Sequence, residues 1–182
     1  MPTAELILRT RRLDLVAATL DHLDAELATP STLGGLLGVD LPPEWPPGEY
    51  DRDALEFFHA QLEARPDHAG WYTWYAITRD LQGSRELLVA GAGYFGPPAA
   101  GTAEIGYSVI PSARRNGYAT EIVAALVENA FADPSVQQVI AHTSEGNAAS
   151  ARVLVRCGFE RVGPGSAPQS VQYRTARRGT QS

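Results

Sequence analysis

The stretch A-E-I-G-Y-S-V-I-P-S-A-R-R-N-G-Y-A-T, Ala103 to Thr120, decides the fold. Its first half alternates. Ile105, Tyr107 and Val109 fall on one face and Glu104, Gly106 and Ser108 on the other, the period of a strand, and Pro111 stops it. From Ala119 the apolar residues Ile122, Val123, Leu126, Val127, Ala130 and Phe131 recur at the spacing of one helical face, with Glu121, Glu128 and Asn129 turned away. Between strand and helix lie Arg114, Arg115, Asn116 and Gly117. A helix N-terminus presents backbone N–H groups without acceptors and carries partial positive charge, so it stabilises an anion. Two guanidinium groups flank this one, and Gly117 has no Cβ to hold the anion off. That combination suits a phosphate or diphosphate. A plain strand-to-helix turn with solvated arginines has the same local pattern, so the downstream sequence decides between them.

Downstream, a predicted strand Val139–Ser144 leads into N-A-A-S-A-R-V-L-V-R-C-G-F, Asn147 to Phe159. The two runs together resemble the GNAT N-acetyltransferase superfamily. Arg114, Gly117 and Ala119 stand at the three positions of its R/Q-x-x-G-x-G/A acyl-CoA loop. Asn147, Ser150, Leu154, Gly158 and Phe159 match the second half of its signature. The E-I-G-Y before the loop points to the ribosomal-protein alanine acetyltransferase (RimJ/RimL-like) branch, whose members commonly begin with R-T-x-R-L, as here from Arg9. The resemblance covers about a third of the chain, and the joint occurrence of both motifs is what makes it specific.

The length of 182 residues fits one domain with its own core, and 44% apolar with 20% charged residues is ordinary globular composition. No apolar run approaches the roughly 20 residues that span a membrane, and the N-terminus lacks the pattern of a secretory signal, so a cytoplasmic protein without a membrane partner is expected. A net charge of −6 argues against a broad nucleic-acid footprint. Cys157, the only cysteine, excludes an intrachain disulfide and a cysteine-based metal site. Its apolar neighbours suggest a small buried filler.

In chain order, Leu6–Leu8 and Leu13–Val16 read as one strand with a polar break, and Thr19 or Asp21 caps a short helix to Leu27. Pro30 to Tyr50, rich in Pro and Gly, is expected to be irregular. Trp45 and Tyr50 in it either line the substrate pocket or anchor the loop to the core. Asp51 or Asp53 opens a helix to about Ala64 with Leu55, Phe58 and Leu62 inward. Trp71–Arg79 and Glu86–Phe95 form a hairpin through D-L-Q-G-S-R, and Gly91 and Gly93 mark close backbone approach or a bulge. The strand–helix–strand crossover from Ile105 to Thr143 makes its two strands parallel. Phe159–Val162 and Val171–Arg174 close the sheet. The expected class is therefore α+β, a mixed and mostly antiparallel twisted sheet of about six or seven strands with helices on both faces. The resemblance makes it a GNAT-like fold over residues 1–182, a single acyl-CoA N-acyltransferase domain.

Direct acetyl transfer from a thioester to an amine needs a held thioester, a neutral amine and stabilisation of the developing oxyanion, but neither a metal nor a covalent intermediate. The sequence has no convincing Ser-His-Asp arrangement and no metal-ligand spacing. Acetyl-CoA is the co-substrate that the resemblance implies. It puts Arg114, Arg115, Asn116, Gly117, Tyr118, Ala119 and Thr120 around the diphosphate, with Val109, Ile110, Asn147 and Ser150 along the acyl and pantetheine portion. Glu104, on the strand leading to the loop, is the first candidate for the base, with a solvent-facing strand glutamate as the alternative. His142 is the second, or else structural. Many family members carry a tyrosine seven residues after the motif asparagine to protonate the thiolate. Leu154 stands there, which leaves that role to Ser150 or to solvent. Tyr107 and His142 join Trp45 and Tyr50 as candidate substrate contacts. The acceptor is a primary amine, either a protein N-terminal α-amine or a small molecule, and a homodimer follows from family habit alone. A non-catalytic acyl-CoA-binding or regulatory module is the competing function, motivated by the missing tyrosine.

Overall fold

The computed structural model describes residues 6–48, 50–79 and 86–177. The hairpin turn at residues 80–85 and the polar tail beyond residue 177 lie outside the described residues. Two short strands, β1 (Ile7–Arg9) and β2 (Leu13–Ala17), are followed by helices α1 (Leu20–Ala28), α2 (Pro30–Leu37) and α3 (Arg52–Ala64). Strands β3 (Thr73–Thr78), β4 (Leu88–Tyr94) and β5 (Thr102–Val109) come next. Then follow α4 (Tyr118–Ala132), β6 (Gln138–Ser144), α5 (Ala148–Arg156), β7 (Glu160–Pro164) and β8 (Ser170–Ala176). The sheet order is β1-β2-β3-β4-β5-β6-β8-β7. Every neighbouring pair is antiparallel except β5 and β6, the two strands joined by the α4 crossover.

This α+β sheet has eight strands where six or seven were expected. The polar break R-T-R-R is the reason. It is the turn of an antiparallel hairpin that pairs Leu8 with Leu15, rather than a flaw in one strand. A second departure is α2, which lies inside the segment expected to be irregular. Pro30 stands at its first position, where no N–H is needed, and Gly38 ends it in the left-handed region at φ 68. The proline and glycine that looked like breakers are its punctuation.

Thr19 caps α1 as expected, its hydroxyl accepting from His22 N–H while the His22 ring accepts from Thr19 N–H. Asp51 caps α3, and Leu55, Phe58 and Leu62 are its buried residues. Ile122, Val123, Leu126 and Ala130 of α4 are fully buried, worth about 1.5–3 kcal/mol for each large aliphatic side chain. No helix among the described residues is long and apolar enough to cross a membrane.

The two faces of the sheet are occupied by different helices. The Tyr94 hydroxyl donates to Leu126 O of α4, so Tyr94 and its face partners Ala92, Ile105 and Tyr107 look toward α4 and α5. Tyr75, Gly91, Glu104, Gly106 and Ser108 look toward α1 and α3. The glycines of β4 act by close approach. A Cβ on Gly93, at φ 145, would lie 2.0 Å from Tyr72 O, and one on Gly91 would lie 3.1 Å from the Tyr50 ring.

Candidate active site

The site begins where the parallel ladder ends. β5 and β6 pair from Thr102↔Gln138 to Ile105↔Ala141, and beyond that the register stops. β5 stays on β4 as far as Val109, while β6 stays on β8 as far as Ser144. Each strand follows its other neighbour and the two splay apart. Phe95 N–H donates to Glu104 O and Ile110 N–H to Val89 O, so the even-numbered residues of β5 turn their main chain to β4. The main-chain groups of Tyr107 and Val109 therefore face the opening. Val109 O is already occupied by Arg114 Nε at 3.0 Å, whereas its N–H has no strand opposite. A cavity of 370 Å³ passes through this opening and joins the two faces of the sheet.

On the α1 and α3 side the cavity is lined by Tyr50, Ala54, Phe58, Phe95, Glu104 and His142. Glu104 and His142 are on adjacent strands with the same facing, and His142 Nδ1 lies 2.9 Å from Glu104 Oε1. A carboxylate only accepts, so Nδ1 carries the hydrogen and the Nε2 lone pair is left over on a neutral ring. Tyr50 lines the cavity with its ring, but its hydroxyl donates to the buried Glu26 and accepts from Thr73 Oγ1, each at 3.3 Å.

Trp45 is not in the lining, contrary to its placement with the substrate contacts. It is 6% exposed, and its Nε1 donates to Glu26 Oε1 at 2.6 Å. The cause is Glu26 itself, a carboxylate 4% exposed that needs several donors and draws in the indole along with Tyr75, whose hydroxyl donates at 2.7 Å. Burial raises the Glu26 pKa, and the hydrogen bonds from Tyr75, Trp45 and Tyr50 offset part of that rise. Glu26 was missed in the sequence. Its position three residues after Leu23, on the buried side of α1, is the signal that was there to find.

On the opposite side Tyr107 meets α5. Its hydroxyl is 2.8 Å from Ser150 Oγ, and burial pushes the phenol up to about 12. The same alternation that turns Glu104 toward α1 and α3 puts Tyr107 on the other face. Asn147 caps α5, its Oδ1 accepting from Ser150 N–H at 3.0 Å, and Asn147 and Ser150 both line the cavity. Leu154 is fully buried. Cys157 is half-buried, with its thiol pKa raised by burial, and its Sγ is 3.5 Å from Thr120 O.

The loop before α4 is held in a strained form. Arg115 has φ 63 and Gly117 φ 81, and Gly117 is the N-cap of α4 with no side chain closing the helix end. Glu121 N–H already reaches Gly117 O, which leaves the N–H groups of Tyr118, Ala119 and Thr120 at the open end. Asn116 Nδ2 donates to Ala113 O at 3.1 Å and so braces the loop from within. Arg114 and Arg115 are exposed.

Residues distant in sequence brace the loop as well. Arg12 donates through Nη1 to Asn116 O and through Nε to Glu121 Oε2, each at 2.8 Å, and its Cζ lies 4.7 Å from the centre of the Tyr118 ring. Glu121 also accepts from Thr10 Oγ1 at 2.5 Å and from Arg12 N–H at 2.7 Å. Partial burial raises its pKa, but these hydrogen bonds outweigh that and hold the carboxyl below its ordinary value. From the Pro-rich segment, Glu44 accepts from the Ser112 N–H and hydroxyl. In the sequence Glu121 read only as a residue on the outer side of a helix, and Arg12 only as part of R-T-x-R-L.

The acetyltransferase (GNAT) domain family matches residues 12–160. The chain is 28% identical over 155 residues to the uncharacterized N-acetyltransferase YjdG of Bacillus subtilis (strain 168), spanning 85% of this chain and 89% of that one. Among solved structures it is similar to RimL, the ribosomal L7/L12 alpha-N-protein acetyltransferase. The TM-score is 0.64 at 17% identity, over 97% of this chain and 99% of that one. It is also similar to the microcin C7 self-immunity acetyltransferase MccE, solved with acetyl-CoA and AMP. There the TM-score is 0.61 at 13% identity, over 92% and 94% of the two chains. At those identities the two structures share the fold. With most of its length matched, the chain belongs to the GNAT acetyltransferase family and is an acyltransferase.

Proposed function

We propose that the protein moves the acetyl group of acetyl-CoA to a primary amine by direct attack. The observation that carries this reading is the opening through the sheet, which joins a Glu104–His142 pair on one face to a Ser150–Tyr107 pair on the other. The diphosphate sits on the N–H groups of Tyr118, Ala119 and Thr120, with Arg114 and Arg115 beside it and Gly117 letting it approach. The arm of the donor follows the free edge of β5 past Ile110 and Val109 toward Asn147. The main-chain groups of Tyr107 and Val109 hold it, and the Val109 N–H is aimed at the acyl oxygen.

The amine enters from the α1 and α3 side. Glu104, acting with His142, takes its proton, and the nitrogen attacks the thioester carbonyl carbon. The C–N bond forms, the charge gathers on the oxygen, and the C–S bond breaks. The thiolate receives a proton from Ser150, which takes one from Tyr107 in turn, while water in the open cavity returns a proton to Tyr107 and carries off the one held by Glu104. The products are the N-acetyl amine and free coenzyme A. The Ser150–Tyr107 pair thus fills the role that Leu154 does not.

Similarity to RimL supports the RimJ/RimL-like branch, and with it an N-terminal α-amine among the acceptors, beside small-molecule amines. The test is thiol release from acetyl-CoA with a panel of amines and peptide N-termini, in wild type and in Glu104→Gln. Loss of 10²- to 10³-fold in kcat/KM with coenzyme A affinity held within about twofold is expected of a base. An unimpaired variant would remove Glu104 from the chemistry.

A further inference from the structure

The composition of the acceptor side points to a substrate class. We infer that the acceptor is a primary amine on an apolar, ring-bearing body with no second positive charge, whether free or at the head of a peptide. This rests on the acetyl-transfer reading above.

Charge is the first argument. Among the described residues lining the cavity Glu104 is the only carboxylate, and it is already shared with His142. The nearby Glu26 is 4% exposed and fully engaged by Trp45, Tyr75 and Tyr50, so it offers no second anionic contact. A polycation would leave its other ammonium groups desolvated among rings with nothing to pair them.

Shape and polarity are the second argument. Tyr50 spends its hydroxyl on Glu26 and Thr73 and so shows the cavity its ring alone. Its ring lies where a Gly91 side chain would stand, and the Phe95 ring lies where one on Gly106 would, with built Cβ positions 3.1 Å and 3.0 Å from ring atoms. At both places glycine replaces a side chain so that an aromatic ring can rest on the strand. The Phe58 ring continues the surface, its centre 6.4 Å from that of Phe95. Phe95 is nevertheless 53% exposed, a large ring left wet at the edge of the cavity. A ring or branched alkyl group on the substrate removes that surface from water.

The experiment compares kcat/KM with acetyl-CoA for phenethylamine, a hexapeptide beginning with Phe, ethylamine, spermidine and a polycationic aminosugar. The chain contains no lysine, so acetyl incorporation reports added acceptor with little self-modification. At least one ring-bearing acceptor is expected to exceed ethylamine and both polycations by about tenfold or more, and the faster of the two identifies the source. In Phe95→Ala the ratio of ring-bearing amine to ethylamine is expected to fall about tenfold, while the coenzyme A affinity measured by calorimetry holds. Polycations that match or beat the ring-bearing acceptors overturn the inference and leave acetyl transfer standing. An unchanged ratio in folded Phe95→Ala does the same. No turnover with any amine, despite coenzyme A binding, overturns the acetyl-transfer reading and this inference together.

Discussion

The two faces of the sheet are organised around two glutamates that respond to the fold in opposite ways. On the α4 side Glu121 is gripped by Arg12 and Thr10, and its carboxyl is held below its ordinary value. On the α1 side Glu26 is buried under Trp45, Tyr50 and Tyr75, and desolvation raises it. The first carboxylate is charged and fixes a loop made of backbone donors. The second is costly to ionise and fixes a wall made of side chains. The α4 side is thus specified by main-chain geometry, the α1 side by which residues pack there.

The largest way to break this comparison is at Glu26. Glu26→Ala leaves three buried donors without their acceptor and is expected to cost about 2–4 kcal/mol, read by denaturant unfolding. Glu26→Gln keeps the packing and tests the sign. With a folded pKa above the ordinary 4.5, the native state is not penalised below that pH. As pH rises past it the unfolded chain ionises first, and wild-type stability falls. The Tm difference is therefore expected to move in favour of Glu26→Gln as pH rises from 4.5 through the raised folded value. A pH-independent difference would mean that Glu26 does not titrate as its burial implies. Glu121 has the reverse sign. Its contribution is complete above 4.5 and disappears as pH falls through its lowered folded value, in the same direction as the lowered carboxyls of Asp67 and Asp133.

The next effect is kinetic and lies across the opening. Ser150→Ala is expected to lower kcat about tenfold with the acetyl-CoA KM little changed, and Tyr107→Phe by a smaller factor. If Tyr107→Phe were the more damaging, the phenol would be the immediate donor. The smallest effect is on the donor loop. Arg12→Ala is expected to cost about 1 kcal/mol after solvent screening and to weaken coenzyme A binding severalfold by calorimetry. Arg12→Lys is expected to restore only part, since an ammonium lacks the planar fork that sets Nε on Glu121 and Nη1 on Asn116 O.

The same contrast explains what the sequence disclosed. The strand, the Pro111 stop and the apolar stripe of α4 are local signals within about 30 residues, and they stand where the sequence pattern put them. The N-terminal hairpin and α2 were misread because R-T-R-R and the Pro30 and Gly38 pair are ambiguous until a partner strand or a packed face is known. Arg12 and Glu121 are 109 positions apart, and Trp45 and Glu26 are 19 apart with α2 between them. Neither contact has a periodic signature. The opening itself had none either, because where a parallel ladder ends depends on what each strand does with its other neighbour.

That unfinished seam has a mechanical consequence. An acyl donor lying against the free edge of β5 would act as a temporary ninth strand and stitch β1 through β5 to β6, β8 and β7. Deuterium uptake at the Tyr107 and Val109 amides would then slow more than elsewhere once coenzyme A is added. The molecule would be stiffest while loaded, and the departure of spent carrier would be the moment at which its two halves regain their freedom to part.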